Sequence, residues 1–147
     1  MSFTGSMLIV PVDFSEQSSK AVRTALEIAG DASKLHLVHV ALSLDSIVSS
    51  NMLGGDDDED IQPQSRAMKK LSQIAHENGA ADALTTVLSG SPGEQIASYA
   101  KEHNADLIVI SSHGYHGIKR MVLGSVAEKV IRHAECSVLV LRRSDAE

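Results

Sequence analysis

Three unbroken apolar runs rich in isoleucine and valine most constrain what this 147-residue chain can fold into: MLIVPV at 7–12, DLIVISS at 106–112 and SVLVLR at 137–142. A strand with one wet face alternates apolar and polar residues. A continuous run suits a strand buried on both faces, as in a parallel sheet sandwiched between helices. Two further runs, LHLVHVAL at 35–42 and ALTTVL at 83–88, are less pure and are expected nearer an edge.

Parallel neighbours need crossovers, and helical patterns fill the gaps. Ala21, Val22, Ala25, Leu26 and Ala29 recur at helix spacing after Ser15, a good N-cap. Met68, Leu71, Ile74 and Ala75 repeat the pattern before the stop signal Asn78-Gly79. In SPGE, Ser91 is placed as cap, Pro92 at the first helical position and Glu94 at the third, with Ile96, Ala97 and Ala100 as inner stripe. Val126, Ala127, Val130, Ile131 and Ala134 mark a last helix starting at Ser125. Strands alternating with helices predict one α/β domain over 1–147, with right-handed crossovers and helices on both faces of the sheet. Residues 1–6 read as a flexible start, and 43–60, which have no clean period, as a mobile surface insertion.

The net charge of −6 rests almost wholly on the acids Asp56, Asp57, Asp58, Glu59 and Asp60. The remaining body is near neutral, and aromatics are 3% of the chain. Neither a basic face nor a stacking platform for nucleic acid is expected. No apolar run reaches membrane-span length. The lone Cys136 has no internal disulfide partner and reads as a packed, inert thiol. MLIVPV is too short for a signal core, so a cytoplasmic chain is expected.

Open parallel sheets bind ligands beyond the carboxyl ends of their strands, where strand order reverses. Asp13 stands at the tip of the first strand. After the fourth comes SSHGYHGIKRMVLGS, 111–125. In the order 3-2-1-4-5 these tips are neighbours. Gly114 and Gly117 permit close backbone approach, and Gly124-Ser125 opens a helix whose free N–H groups favour an anion. Asp13 would repel phosphate but could accept from a ribose hydroxyl or an adenine amino group. A nucleotide across the switch point fits, with its sugar toward Asp13 and its phosphates toward 114–126. Ser125-Val-Ala-Glu128 is equally a capping box that needs no ligand, and on the residues alone both readings stand open.

The residues LIVPVDFS, LHLVHV, SSHG and LGSVAEKVIRHAECSVLVLR resemble the universal stress protein family over about 7–142. ATP-binding members carry G-x2-G-x9-G-[ST]. Here that frame reads Ser111-x2-Gly114-x9-Gly124-Ser125, with serine in place of the first glycine. The resemblance implies a five-stranded parallel sheet in the order 3-2-1-4-5 and a homodimer paired through 137–142. It also implies an adenine nucleotide, ATP or AMP, with Mg accompanying ATP. Pro11 and Val12 would line the base pocket, Asp13 would contact base or ribose, and Val40 would pack on adenine. Ile110 and Ser111 would run along the nucleoside, and Gly114, Gly124, Ser125 and Val126 would surround the phosphates.

The remaining candidates read as bland. Lys119 and Arg120 are expected as solvated loop charges, although they could neutralise a triphosphate. His113 and His116 have H-x-x-H spacing but no further ligand nearby in sequence, so no metal site is expected. His36 and His39 suit sheet positions, and Tyr99 and Tyr115 stand isolated. No nucleophile elbow or carboxylate pair is present, and no catalytic residue is assigned. The expected function is regulatory nucleotide binding in a stress response. The alternatives are a ligand-free dimeric interaction protein and a slow ATP hydrolase.

Overall fold

The computed structural model describes residues 2–41, 63–112 and 124–142. Five strands run β1 Leu8–Pro11, β2 Leu35–Ala41, β3 Leu84–Ser89, β4 Leu107–Ser111 and β5 Ser137–Leu141. Between them lie α1 Glu16–Ala29, α2 Pro63–Glu77, α3 Pro92–Glu102 and α4 Ser125–His133, with a short 3-10 turn at Ala32–Lys34. The sheet order is β3-β2-β1-β4-β5, and every pairing is parallel. The expected acidic block 56–60, the 43–60 insertion and residues 113–123 lie outside the described residues.

Side chains alternate across the sheet and build two cores. Leu8, Val10, Leu35, Leu37, Leu107 and Val109 pack against Val22 and Ala25 of α1 and Leu71 of α2. Ile9, Val38, Ile108 and Ile110 pack against Ile96 and Tyr99 of α3 and Val130 of α4. The central strands β1 and β4 contribute to both cores, which is why their runs are continuous. β5 lies at the sheet edge, as the order 3-2-1-4-5 requires, but burial on both faces was expected and its Val138, Leu139, Val140 and Leu141 are only half-buried. β2 and β3, expected nearer an edge, are the outer pair on the other side of the sheet, with β3 as its rim.

Local chemistry explains the boundaries. α1 ends at Gly30, whose φ of 75° is left-handed and whose N–H reaches Leu26 O. Gly79, in the turn that follows α2, has the same conformation. α3 opens with Ser91 as N-cap and Pro92 in the first turn, as the sequence predicts. The early residues are tied to the body: Gly5 N–H donates to Ala29 O at 3.0 Å, and Phe3 packs on the α1 core. Ile131, expected on the inner stripe of α4, is 46% exposed, because α4 meets the sheet through Ala127 and Val130.

Candidate functional site at the switch point

β1 is hydrogen-bonded to β2 on one side and β4 on the other, so the order of strands reverses beside it. The carboxyl end of β1 is drawn tight. Val12 N–H donates to Val38 O at 2.8 Å, and His39 Nδ1 lies 2.7 Å from Val12 O. A carbonyl only accepts, so that bond places the proton on Nδ1.

Asp13 follows, half-buried. Its Oδ1 accepts from Ser15 N at 3.0 Å, Ser15 Oγ at 2.6 Å and Ser18 Oγ at 2.7 Å. Its own N–H donates to Ser18 Oγ at 2.9 Å. Ser18 is 1% exposed, and this reciprocal pair satisfies its hydroxyl. The carboxylate is thus an Asx-type turn at the start of α1, where negative charge is favoured by the helix dipole. Ser15 stands at the N-cap as expected, but its hydroxyl turns back to Asp13 instead of capping the helix.

The chain reverses between Asp13 and Ser15 through Phe14, whose φ is 68°. The left-handed region is costly for a bulky residue. The Phe14 ring lies 4.2 Å from the His39 ring at a 31° tilt, and Lys70 Nζ stands 5.7 Å from its centroid.

The other half of the site is the approach of α4 to β4. Ser112 N–H donates to Leu141 O at 2.8 Å, and Gly124 N–H donates to Ser112 O at 2.7 Å. These bonds fasten the start of α4 to the carboxyl end of β4. Gly124, not Ser125, is the N-cap, with φ −62° and ψ 151°. The capping box, left open as the alternative reading of Ser125 to Glu128, does not form: no side chain among the described residues caps the helix, and Glu128 Oε1 accepts from Arg132 at 2.7 Å. The first intrahelical bond is Glu128 N–H to Gly124 O. The N–H groups of Ser125, Val126 and Ala127 therefore have no acceptor one turn back in the helix, and they carry the positive end of its dipole.

Val40, Ile110 and Val126 all belong to the core on the α3/α4 side of the sheet. Ile110 is 4% exposed, while Val40 and Val126 are half-buried. Pro11 is half-buried at the end of β1, whereas Val12 turns into the α1 core. Ser111 is the last residue of β4, paired with Leu141, and is not among the positive-φ residues, so its backbone does not require glycine. Gly114, Gly117, His113, Tyr115, His116, Lys119 and Arg120 lie outside the described residues. Among the described residues no three His, Cys, Asp or Glu side chains group closely enough to hold a metal ion, and no helix is long and apolar enough to cross a membrane.

Sequence reasoning missed a polar cluster at the opposite end of the sheet. Tyr99, read as isolated, is 6% exposed, and its hydroxyl lies 2.9 Å from His36 Nδ1 and 3.2 Å from Thr86 Oγ1. His103 stacks on Tyr99 with centroids 4.0 Å apart. Burial, and secondarily the His103 ring, pushes His36 below the usual imidazole range. Spacing offered one signal: Tyr99 and His103 are four apart, on one face of a helix. A cavity of about 250 Å³ beside the C-terminus of α3 is lined by Lys101, Asn104, Glu135 and Cys136, away from the switch point. Burial pushes the Cys136 thiol up, in keeping with a packed thiol.

With this geometry in hand, comparison with known proteins gives one result. A universal stress protein of Methanocaldococcus jannaschii is 33% identical over 146 residues, covering 95% of this chain and 84% of the relative. The structure of universal stress protein UspA from Lactobacillus plantarum superposes with a TM-score of 0.69 at 28% identity, over 97% of this chain and 99% of that one. A universal stress protein from Arabidopsis thaliana with AMP bound shares the fold, with a TM-score of 0.60 at 19% identity and coverage of 97% and 94%. The sequence model of the universal stress protein family matches residues 7–142, so the chain belongs to the universal stress protein family.

Proposed function

We propose that this chain binds an adenine nucleotide across the β1/β4 switch point and acts as a regulatory, non-catalytic protein. The observation that supports this reading is that two unlike groups follow neighbouring strands, β1 and β4. A fixed carboxylate, Asp13, lies just beyond β1, and the first turn of α4, whose leading N–H groups have no acceptor within the helix, is tied to Ser112 just beyond β4. The carboxylate suits ribose hydroxyls or an adenine amino group. The helix start suits phosphate.

On this reading Val40 and Pro11 offer apolar surface to the purine, Val12 shapes the pocket from behind through its backbone, and Ile110, its side chain in the core, runs along the nucleoside by its backbone. Ser111 lies along the nucleoside. Phosphate is received by the amides of Ser125 and Val126, with Gly114 from the preceding loop. Gly124 contributes by lacking a side chain, since its own N–H is engaged by Ser112 O. ATP would bring Mg with it, and AMP would not. The AMP-bound relative supports the location only at the level of the fold.

A second reading is favoured by one specific observation. Asp13 and Gly124 both spend hydrogen bonds on the fold itself, as they would in a ligand-free member acting through a homodimer. The half-buried apolar edge β5 is the strand through which such a dimer would pair. The experiment that separates the readings is denaturation of purified protein and analysis of what it releases, with melting curves in millimolar ATP, AMP or cyclic AMP. A stoichiometric nucleotide, or a rise in Tm with nucleotide, supports binding. An empty protein that melts at the same temperature in all three refutes it. Cytoplasmic residence and a role in stress belong to the same proposal.

A further inference from the structure

We infer that Phe14 and His39 are positioning residues for the nucleotide pocket, clamping the turn that holds Asp13 in its binding orientation. The inference rests on the nucleotide reading and deepens it. Three donors converge on Asp13 Oδ1, two from Ser15 and one from Ser18. That convergence requires the chain to double back within one residue, and the residue is Phe14, at φ 68°. Glycine would take this conformation without strain. Phenylalanine takes it only if its surroundings over-determine it, and strain of this kind gathers at ligand clamps.

The surroundings do so from two sides. The His39 ring lies 4.2 Å from the Phe14 ring, and His39 is itself fixed by its Nδ1–H bond to Val12 O. Lys70 approaches the same ring from α2. The clamp is thus a closed loop: β1 backbone, β2 imidazole, Phe14 ring, and back to β1 through Asp13. A flexible glycine turn would let the carboxylate sample other orientations, and a ligand would lose affinity in ordering it. Neither Phe14 nor His39 needs to touch the nucleotide for this effect.

The test compares Phe14→Gly, Phe14→Tyr and His39→Gln with the wild-type chain, measuring Tm and the Kd for ATP, AMP and cyclic AMP by titration calorimetry. Phe14→Gly removes both ring and strain, so its Tm is expected to stay near wild type while Kd rises about tenfold, the cost of ordering a released turn. Phe14→Tyr keeps the ring and restores affinity to within about threefold of wild type. His39→Gln, which loses the ring but keeps a donor, weakens binding in the same direction as Phe14→Gly and guards against a folding failure of the glycine variant. The inference is overturned if both Phe14→Gly and His39→Gln bind with wild-type affinity, or if Phe14→Tyr is as weak as Phe14→Gly. If the wild-type chain binds none of the three nucleotides, the nucleotide reading itself fails and takes the clamp with it; that outcome is read from the wild type alone.

Discussion

Adding one methyl group to α3 should loosen the contact that seats α4 over the sheet. Gly93 is buried where α3 meets α4, and a Cβ built on it falls inside 3.0 Å of the Lys129 Cβ, and 3.1 Å from its Cδ. A Cβ is rigid with its backbone, so rotation of the lysine cannot relieve the first of these contacts. Overpacking of this kind costs about 1–3 kcal/mol. Alanine in place of glycine at a helical position returns about 0.4–1 kcal/mol through the unfolded chain. The net expectation for Gly93→Ala is a loss of about 1–2 kcal/mol, or a fall in Tm of about 3–6 °C for a chain of this size. Urea melts of a double-mutant series give the assay. Lys129→Ala keeps the offending Cβ, so the Gly93→Ala penalty should persist on that background. Lys129→Gly removes the Cβ, so the penalty should vanish. A Gly93→Ala protein at least as stable as wild type, or one equally damaged on the Lys129→Gly background, would refute the packing argument.

Gly124→Ala should separate binding from stability, because φ −62° and ψ 151° suit any residue and the N–H to Ser112 O survives. Unfolding free energy should move by less than about 1 kcal/mol, while nucleotide-induced stabilisation disappears; retained stabilisation would remove Gly124 from the site. Asp13→Asn keeps an acceptor for Ser15 N–H, whereas Asp13→Ala leaves Ser18 without its acceptor, so Ala should melt lower and both should bind nucleotide more weakly, as circular dichroism and calorimetry would show. His36 is held below its ordinary 6.5, so the unfolded chain binds the extra proton first. Its contribution is present above 6.5 and is lost as pH falls through the lowered folded value, and the fall in Tm between pH 7.5 and 5 should shrink in His36→Gln. Iodoacetamide should modify Cys136 more slowly in the native protein than in urea at pH 8, since burial disfavours the thiolate; equal rates would contradict that burial.

What was legible in the sequence follows what is periodic. The Leu8–Pro11 and Leu107–Ser111 strands could be read because β1 and β4 bury both faces, which favours an unbroken apolar run up to the half-buried last residue of each. Gly79 marked a helix end because the left-handed region was needed there, whereas Gly30, which plays the same part after α1, was not singled out. β5 was misread as doubly buried because the same composition serves an edge strand whose apolar side chains stay half-exposed. Asp13 could be found as a strand-tip acid, but not its bond to Ser18, because the αL turn at Phe14 bears no glycine to announce it. The start of α4 at Ser125 was legible, but the bond of Gly124 N–H to Ser112 O, just beyond β4, was not, because it joins residues twelve apart through no local period. Tyr99, His36 and His103 lie on two elements, and contacts of that range leave no local period.

The serine at 111 illustrates how a motif residue can be set by packing or by ligand. A glycine is obligatory where φ is positive or where a side chain would strike something. The first reason does not apply at Ser111, which pairs in ordinary parallel register with Leu141 and is absent from the left-handed residues. Only the second reason remains, and it concerns the guest rather than the fold. Ser111→Gly should therefore leave the sheet intact, apart from the roughly 0.5–1 kcal/mol that glycine costs in a strand, and any gain in nucleotide affinity measures the room its hydroxymethyl group takes from the ligand. A loss of affinity instead would mean that the Ser111 hydroxyl holds the nucleotide, and the serine would then be a substitute for the glycine's function.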